Sequence, residues 1–259
     1  MVQLSAKPSK DENLRAIVKA IRKAEQGTRL MVFPEYSMGF PADGLTRAYV
    51  ADIAERLDGE FVKEVAEISG AQGVDVVVPI YEKRGGRVYN TAAVMKDGRV
   101  IGSYSKIHLF DALGYKESGI FSRGSRAVLF DVDGLTFGIV ICYDVRFPEL
   151  VKAQALAGAE AVLVPSGWYK GPLKEEQWQT LLLARAHEST IYAVGVGNAN
   201  GAFIGRSLVA DPMGTKVLDL GVGDKTGYYM LDRDLVTETR RRLPLLAQST
   251  PKAIACRRI

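Results

Sequence analysis

"GIVICYDVRFPEL", residues 138–150, runs an apolar strand directly into the start of a helix. Phe137 to Ile141 are small, β-branched or aromatic and read as a buried strand, while Asp144 to Leu150 carries a turn and a Pro-led helix start. Cys142 falls on the corner between them, where a side chain can project into a cleft. Just upstream, "AVLFDVDGLTFGIVIC" (127–142) reads as two strands around an Asp133-Gly134 turn. Just downstream, a helix at about 147–157, the strand "AVLVPS" (161–166) and a helix at about 174–189 follow, so this half alternates strand and helix.

The N-terminal half repeats that alternation. "VQLSA" (2–6) reads as a strand, Leu14, Ile17, Val18 and Ile21 have helical spacing, and "RLMVF" (29–33) reads as a second strand. A helix near 58–70 precedes three strands, "VDVVVPIYE" (74–82), "VYNTAAVMK" (88–96) and "RVIGSYS" (99–105), with Asp97-Gly98 as a hairpin turn. Late in the chain "IYAVGVGN", "GRSLVAD", "TKVLDL" and "GYYMLD" read as strands, followed by a short basic helix and an unpatterned tail. Two helix-bearing blocks separated by paired strands predict an α/β architecture of two facing mixed sheets with helices on their outer faces, four layers in all. The continuous apolar runs "VVVPI" and "GIVIC" fit strands covered on both sides.

Composition narrows the function. With 259 residues and 47% hydrophobic content, the chain can bury a large core. No linker rich in Gly, Pro or Ser divides it, so residues 1–259 are expected to form one domain, with a C-terminal arm from about 243. The first residues lack a secretory signal, and no apolar run approaches the ~20 residues of a membrane span, so a cytoplasmic protein that binds no membrane is expected. Two cysteines, Cys142 and Cys256, form neither a disulfide framework nor a metal quartet, and Cys256 is read as incidental. The net charge of +4 is concentrated in Arg240–Arg242 and Arg257–Arg258 without interleaved aromatics, which fits a solvated or intersubunit face and not nucleic acid. "GVGNANG" (195–201) precedes a strand where a dinucleotide site requires a helix, and "GVGDKTG" (221–227) lacks P-loop spacing. Metal and cofactor are therefore not expected.

Three strands end in a reactive residue: Glu35 in "MVFPEYS", Lys106 in "GSYSKIHLF" and Cys142. Clefts in α/β proteins open beside strand ends, so the three side chains can converge. A carboxylate to take a thiol proton and an ammonium to hold negative charge would complete a nucleophilic cysteine. Each residue also has a plainer reading: Cys142 as core, Glu35 as a helix-start carboxylate, Lys106 as a solvated lysine. His108 lies two positions from Lys106, and spacing leaves a Cys-His dyad open. His187 falls in a helical pattern and is expected to pack or pair there.

With these blocks in order, together with "GYKESGIFSRG", "CYDVRFPEL", "WQTLLLARAHE" and "GRSLVADPMG", the chain resembles the nitrilase, or carbon-nitrogen hydrolase, superfamily over nearly its whole length. The resemblance implies a four-layer αββα sandwich, a Glu35-Lys106-Cys142 triad, and Glu117 as an additional active-site glutamate. It also implies that the histidine is not the base, and that the first strand, starting at Met1, is shorter than usual. "CYDVRFPE" looks more like the amidase branches, which act on ω-amides of dicarboxylates and related amides, than like nitrilases; nitrile or N-carbamoyl hydrolysis are the alternatives within the family. A catalytically silent binding module and a thiol redox protein are the alternatives outside it. The expected chemistry is attack of Cys142 on a small amide, with the oxyanion held by Lys106 and the Tyr143 backbone N–H. Arg146, four residues after Cys142, is expected either to receive a substrate carboxylate or to pair with Glu149 or Asp144 across the turn. The "WQTLLLARAHE" helix and the tail after Leu243, with its apolar "LPLLA", predict a homo-oligomer, a dimer or higher.

Overall fold

The computed structural model describes residues 1–249; Cys256, Arg257 and Arg258 lie outside them. In chain order the described elements are β1 (Val2–Gln3), α1 (Lys10–Arg22), β2 (Leu30–Val32), α2 (Arg47–Ile53), α3 (Glu60–Gln72), β3 (Asp75–Arg84), β4 (Arg87–Lys96) and β5 (Arg99–Ser105). They continue as β6 (Leu129–Val132), β7 (Leu135–Ile139), α4 (Pro148–Leu156), β8 (Ala161–Ser166), α5 (Lys174–Ser189) and β9 (Tyr192–Gly197). β10 (Leu208–Ala210), β11 (Lys216–Asp219), β12 (Lys225–Thr226) and α6 (Arg233–Arg242) follow.

Two mixed sheets face each other. One has the order β2-β3-β4-β5, and the other β11-β10-β9-β8-β7-β6. β2 and β3 are parallel, as are β7, β8 and β9, and the remaining pairs within the two sheets are antiparallel. The period of two along each strand decides what is buried where. Val77, Ala92, Val94 and Tyr104 share one buried cluster with Phe137, Ile139, Leu163, Val194 and Val209 of the opposite sheet. Their neighbours Val76, Val78, Ile80, Ala93 and Met95 point the other way and pack with Ile17 and Ile21 of α1 and with Phe61, Val62 and Val65 of α3. On the far side, α4 and α5 cover β7–β9 through Val151, Trp178 and Leu182. The layers are therefore helix, sheet, sheet, helix, as the four-layer expectation requires.

Local chemistry accounts for several boundaries. Ser9 caps α1 by accepting from the Glu12 N–H at 3.3 Å. Asp97 (φ 50°) with Gly98 (φ 74°), and Asp133 (φ 49°) with Gly134 (φ 82°), supply the positive dihedrals of tight hairpin turns. Two expectations differ from the structure. "GYYMLD" is not a strand: only Lys225–Thr226 pairs, with β1, after which Tyr229 and Met230 turn outward with 41% and 88% exposure. An apolar run forms a strand only where a partner edge meets it, and β1 offers two residues of edge. Correspondingly, β1 joins β12 in a separate ribbon and leaves β2 at the edge of the four-stranded sheet. The second difference is α2, whose single buried residue, Val50, leaves no periodic apolar face to read.

Candidate active site

The strand-to-helix corner at Cys142 is a strained elbow. Cys142 has φ 49°, a left-handed conformation costing a non-glycine residue about 1–3 kcal/mol, and it opens a 3-10 turn, Cys142–Arg146, that leads into Pro148 of α4. Asp144 holds this corner. Fully buried, its carboxylate accepts the Ile141 N–H at 3.0 Å and the Tyr104 hydroxyl at 2.7 Å on one oxygen. The other oxygen takes the His108 N–H at 2.7 Å and His108 Nδ1 at 2.9 Å. The His108 ring also lies flat on Phe147, with centroids 3.6 Å apart. His108 is thus committed to the elbow's support, and the Cys-His dyad loses its base.

Glu35, Lys106 and Glu117 meet beside the thiol. Lys106 Nζ lies 2.9 Å from Glu35 Oε1 and 2.9 Å from Glu117 Oε2, all three side chains being buried. Asn90 of β4, on the same face as the apolar Ala92 and Val94, bridges the two carboxylates, donating to Glu35 at 2.7 Å and Glu117 at 3.2 Å. Glu35 Oε2 also accepts the Gly167 N–H at 2.7 Å, and Glu117 Oε2 the Phe110 N–H at 2.6 Å. Gly167 is required there because a Cβ would come within 2.4 Å of the Tyr36 ring. Asn198 donates to the Glu35 carbonyl at 3.0 Å, tying the strand end to β9.

The electrostatics follow from burying two carboxylates, one ammonium and a thiol together. Burial opposes the Lys106 charge, but Glu117 and Glu35 outweigh it and hold the ammonium well above the usual lysine range. Burial pushes the Glu117 carboxyl upward in spite of Lys106. Burial and then the Glu35 charge push the Cys142 thiol far above its ordinary value, while Lys106 and the Ser166 hydroxyl pull the other way. The thiol therefore rests protonated beside a carboxylate that can accept its proton.

Tyr143 and Arg146 line the same cleft as Cys142 and Lys106, with Phe110, Trp168 and Tyr169 as aromatic walls. Arg146 pairs with neither Glu149 nor Asp144. Its Nη2 donates to Gln177 Oε1 at 3.0 Å, and its guanidinium lies 4.6 Å from the centre of the Trp168 ring. A larger cavity of about 740 Å³ opens toward the other end of the sandwich, between the starts of β2 and β7. Its lining, including Leu30, Val32, Leu135 and Phe137, holds no cysteine, lysine or histidine, so the smaller cleft is where the reactive groups meet.

The model of the carbon-nitrogen hydrolase family matches residues 1–241. The chain belongs to the carbon-nitrogen hydrolase family. This hydrolase, an enzyme acting on carbon-nitrogen bonds, is 34% identical over 225 residues to a deaminated glutathione amidase from Escherichia coli O157:H7, covering 86% of the chain and 85% of the relative. It is 30% identical over 269 residues to omega-amidase NIT3 of Saccharomyces cerevisiae, covering 96% and 91%. Among solved structures, a point mutant of the amidase from Nesterenkonia sp. AN1, showing the result of Michael addition of acrylamide at its active-site cysteine, superposes with a TM-score of 0.78 at 27% identity, covering 94% of the hydrolase and 96% of that chain.

Of the residues singled out in the sequence, Lys106, Cys142, Tyr143 and Arg146 line one cleft, and Glu35 and Glu117 are paired with its Lys106, whereas His108 is turned to Asp144. Those missed are the supports, Asp144, Asn90, Ser166 and Gly167. Asn90 had a signal, an amide at a position of β4 where the pattern demands an apolar side chain. Asp144 had none beyond its place beside the cysteine.

Proposed function

We propose that the hydrolase cleaves a small amide bearing a carboxylate, an ω-amide of a dicarboxylate, into a carboxylic acid and ammonia through a thioester on Cys142. The observation carrying this reading is a buried thiol on a strained elbow in the same pocket as a Glu35–Lys106–Glu117 cluster. Glu35 takes the thiol proton as sulfur attacks the amide carbon, which suits a thiol held protonated at rest. The oxyanion forms between the Lys106 ammonium and the Tyr143 N–H, which lies in the first turn of the 3-10 helix, where no intrahelical acceptor exists. Each such donor contributes about 3 kcal/mol. Glu35 then returns the proton to the departing nitrogen, ammonia leaves, and the thioester remains. Glu35 next deprotonates a water molecule, which attacks the thioester and regenerates the thiol. Glu117, with both oxygens already taken by Lys106, Asn90 and the Phe110 N–H, is a positioning residue for the ammonium.

The carboxylate preference rests on Arg146, which lines the cleft without a carboxylate partner among the described residues. Relatives named as amidase and omega-amidase support the amide class. Ammonia release from a panel of neutral amides, carboxylate-bearing amides, N-carbamoyl compounds and nitriles tests the reading. The expected result is turnover of carboxylate-bearing amides that Cys142→Ala abolishes, with an acyl adduct on Cys142 by mass spectrometry. Turnover confined to nitriles or carbamoyl compounds, or full activity in Cys142→Ala, overturns it.

A further inference from the structure

Three cations line the cleft and only one is neutralised. Lys106 lies between Glu35 and Glu117, whereas Arg146 and Lys174 have no carboxylate within ion-pair distance among the described residues. Both sit against one side chain. The Arg146 guanidinium is 4.6 Å and the Lys174 ammonium 6.0 Å from the centre of the Trp168 ring. Trp168 is fixed by its indole N–H, which donates to the Lys174 carbonyl at 2.9 Å, so the ring and the first residue of α5 are locked together. The nearest acidic side chain in sequence, Glu175, is turned to Arg206 at 3.4 Å. Two like charges gathered on one aromatic platform repel each other and are partly desolvated, an arrangement that an anion in the cleft relieves. Burial first, and then the Arg146 charge, hold the Lys174 ammonium below the usual lysine range.

We propose that Lys174 is a second anion-contacting residue beside Arg146, so that the hydrolase selects amides carrying two negatively charged groups over amides carrying one. Arg146 offers a planar fork for one carboxylate, and Lys174 a point charge for the second. The inference rests on the amide-hydrolase reading for its location but is tested by binding as well as turnover. Trp168 reports on the platform directly through its fluorescence.

The binding test uses the Cys142→Ala protein titrated with glutarate and with tricarballylate, in which one carboxylate stands for the amide carbon and one or two remain for the cations. Tricarballylate is expected to bind more tightly, and Lys174→Met to weaken it at least tenfold more than it weakens glutarate, as a lost hydrogen bond between charged groups predicts. Lys174→Arg restores the difference. In turnover, KM for the monoamide of tricarballylate rises in Lys174→Met, while kcat moves little. Equal weakening of both ligands, or none, overturns the role of Lys174 whatever the turnover results. If neither amide is hydrolysed while the binding difference persists, the proposed reaction fails and the anion site stands.

Discussion

Asp144→Asn isolates the support of the nucleophile from the nucleophile itself. The carboxylate receives four hydrogen bonds, two on each oxygen, from His108 N at 2.7 Å, His108 Nδ1 at 2.9 Å, Tyr104 OH at 2.7 Å and Ile141 N at 3.0 Å. An asparagine of the same shape has one carbonyl oxygen and one NH₂, so two of the four donors must face a donor. Each bond to a charged acceptor is worth about 1.5–3 kcal/mol, so losing two removes about 3–6 kcal/mol before relaxation. Rotation of the Tyr104 hydroxyl recovers part, leaving a loss of about 3 kcal/mol against a total stability of about 5–15 kcal/mol for a typical domain. The variant should therefore still fold. Its elbow, however, holds Cys142 at φ 49° in part through bonds that the substitution weakens, so kcat is expected to fall at least tenfold with KM little changed. Urea unfolding, with steady-state kinetics under conditions where the variant is fully folded, measures both. A stability change under about 1 kcal/mol with unchanged kcat would refute the argument that Asp144 maintains the elbow.

Glu35→Gln should move two observables in opposite directions. After burial, the Glu35 charge is the largest influence raising the Cys142 thiol, and Lys106 remains to lower it. The variant's thiol pKa therefore falls, and more thiolate is present at a given pH, read by ultraviolet absorbance against a Cys142→Ala blank. Hydrolysis is nonetheless lost, and a variant with more thiolate and full turnover would remove Glu35 as the base. Gly167→Ala places a Cβ within 2.4 Å of the Tyr36 ring and shifts the N–H that holds Glu35; thermal unfolding should show a loss of about 1–3 kcal/mol, with activity falling further than stability explains. Because Leu243, Leu245 and Leu246 remain partly exposed in the single chain, light scattering should give a mass above that of the monomer, and a purely monomeric protein would rule out the proposed homo-oligomer.

The layered architecture was legible because periodicity and turn chemistry are local. The apolar, β-branched runs within 74–82 and 88–96, the Asp-Gly pairs and the Pro148 helix start each encode their element within a few residues, and the strand ends that carry Glu35, Lys106 and Cys142 could be read from those boundaries. Tertiary structure decided whatever depended on partners distant in the chain. The run at 227–232 has the composition of a strand, but the edge that meets it ends after two residues. His108, two positions from Lys106, left a dyad with Cys142 open in the sequence, yet it is bonded to Asp144, 36 positions away. Arg146 has acidic neighbours on its own turn but reaches Gln177, 31 positions along the chain. The left-handed backbone at Cys142 has no glycine to announce it, because the strain is carried by bonds to Tyr104 and His108 from another sheet edge and its following loop. Local sequence specifies which conformations are affordable to each segment, whereas hydrogen-bond partners for buried charges are chosen only when the two sheets pack and water is excluded.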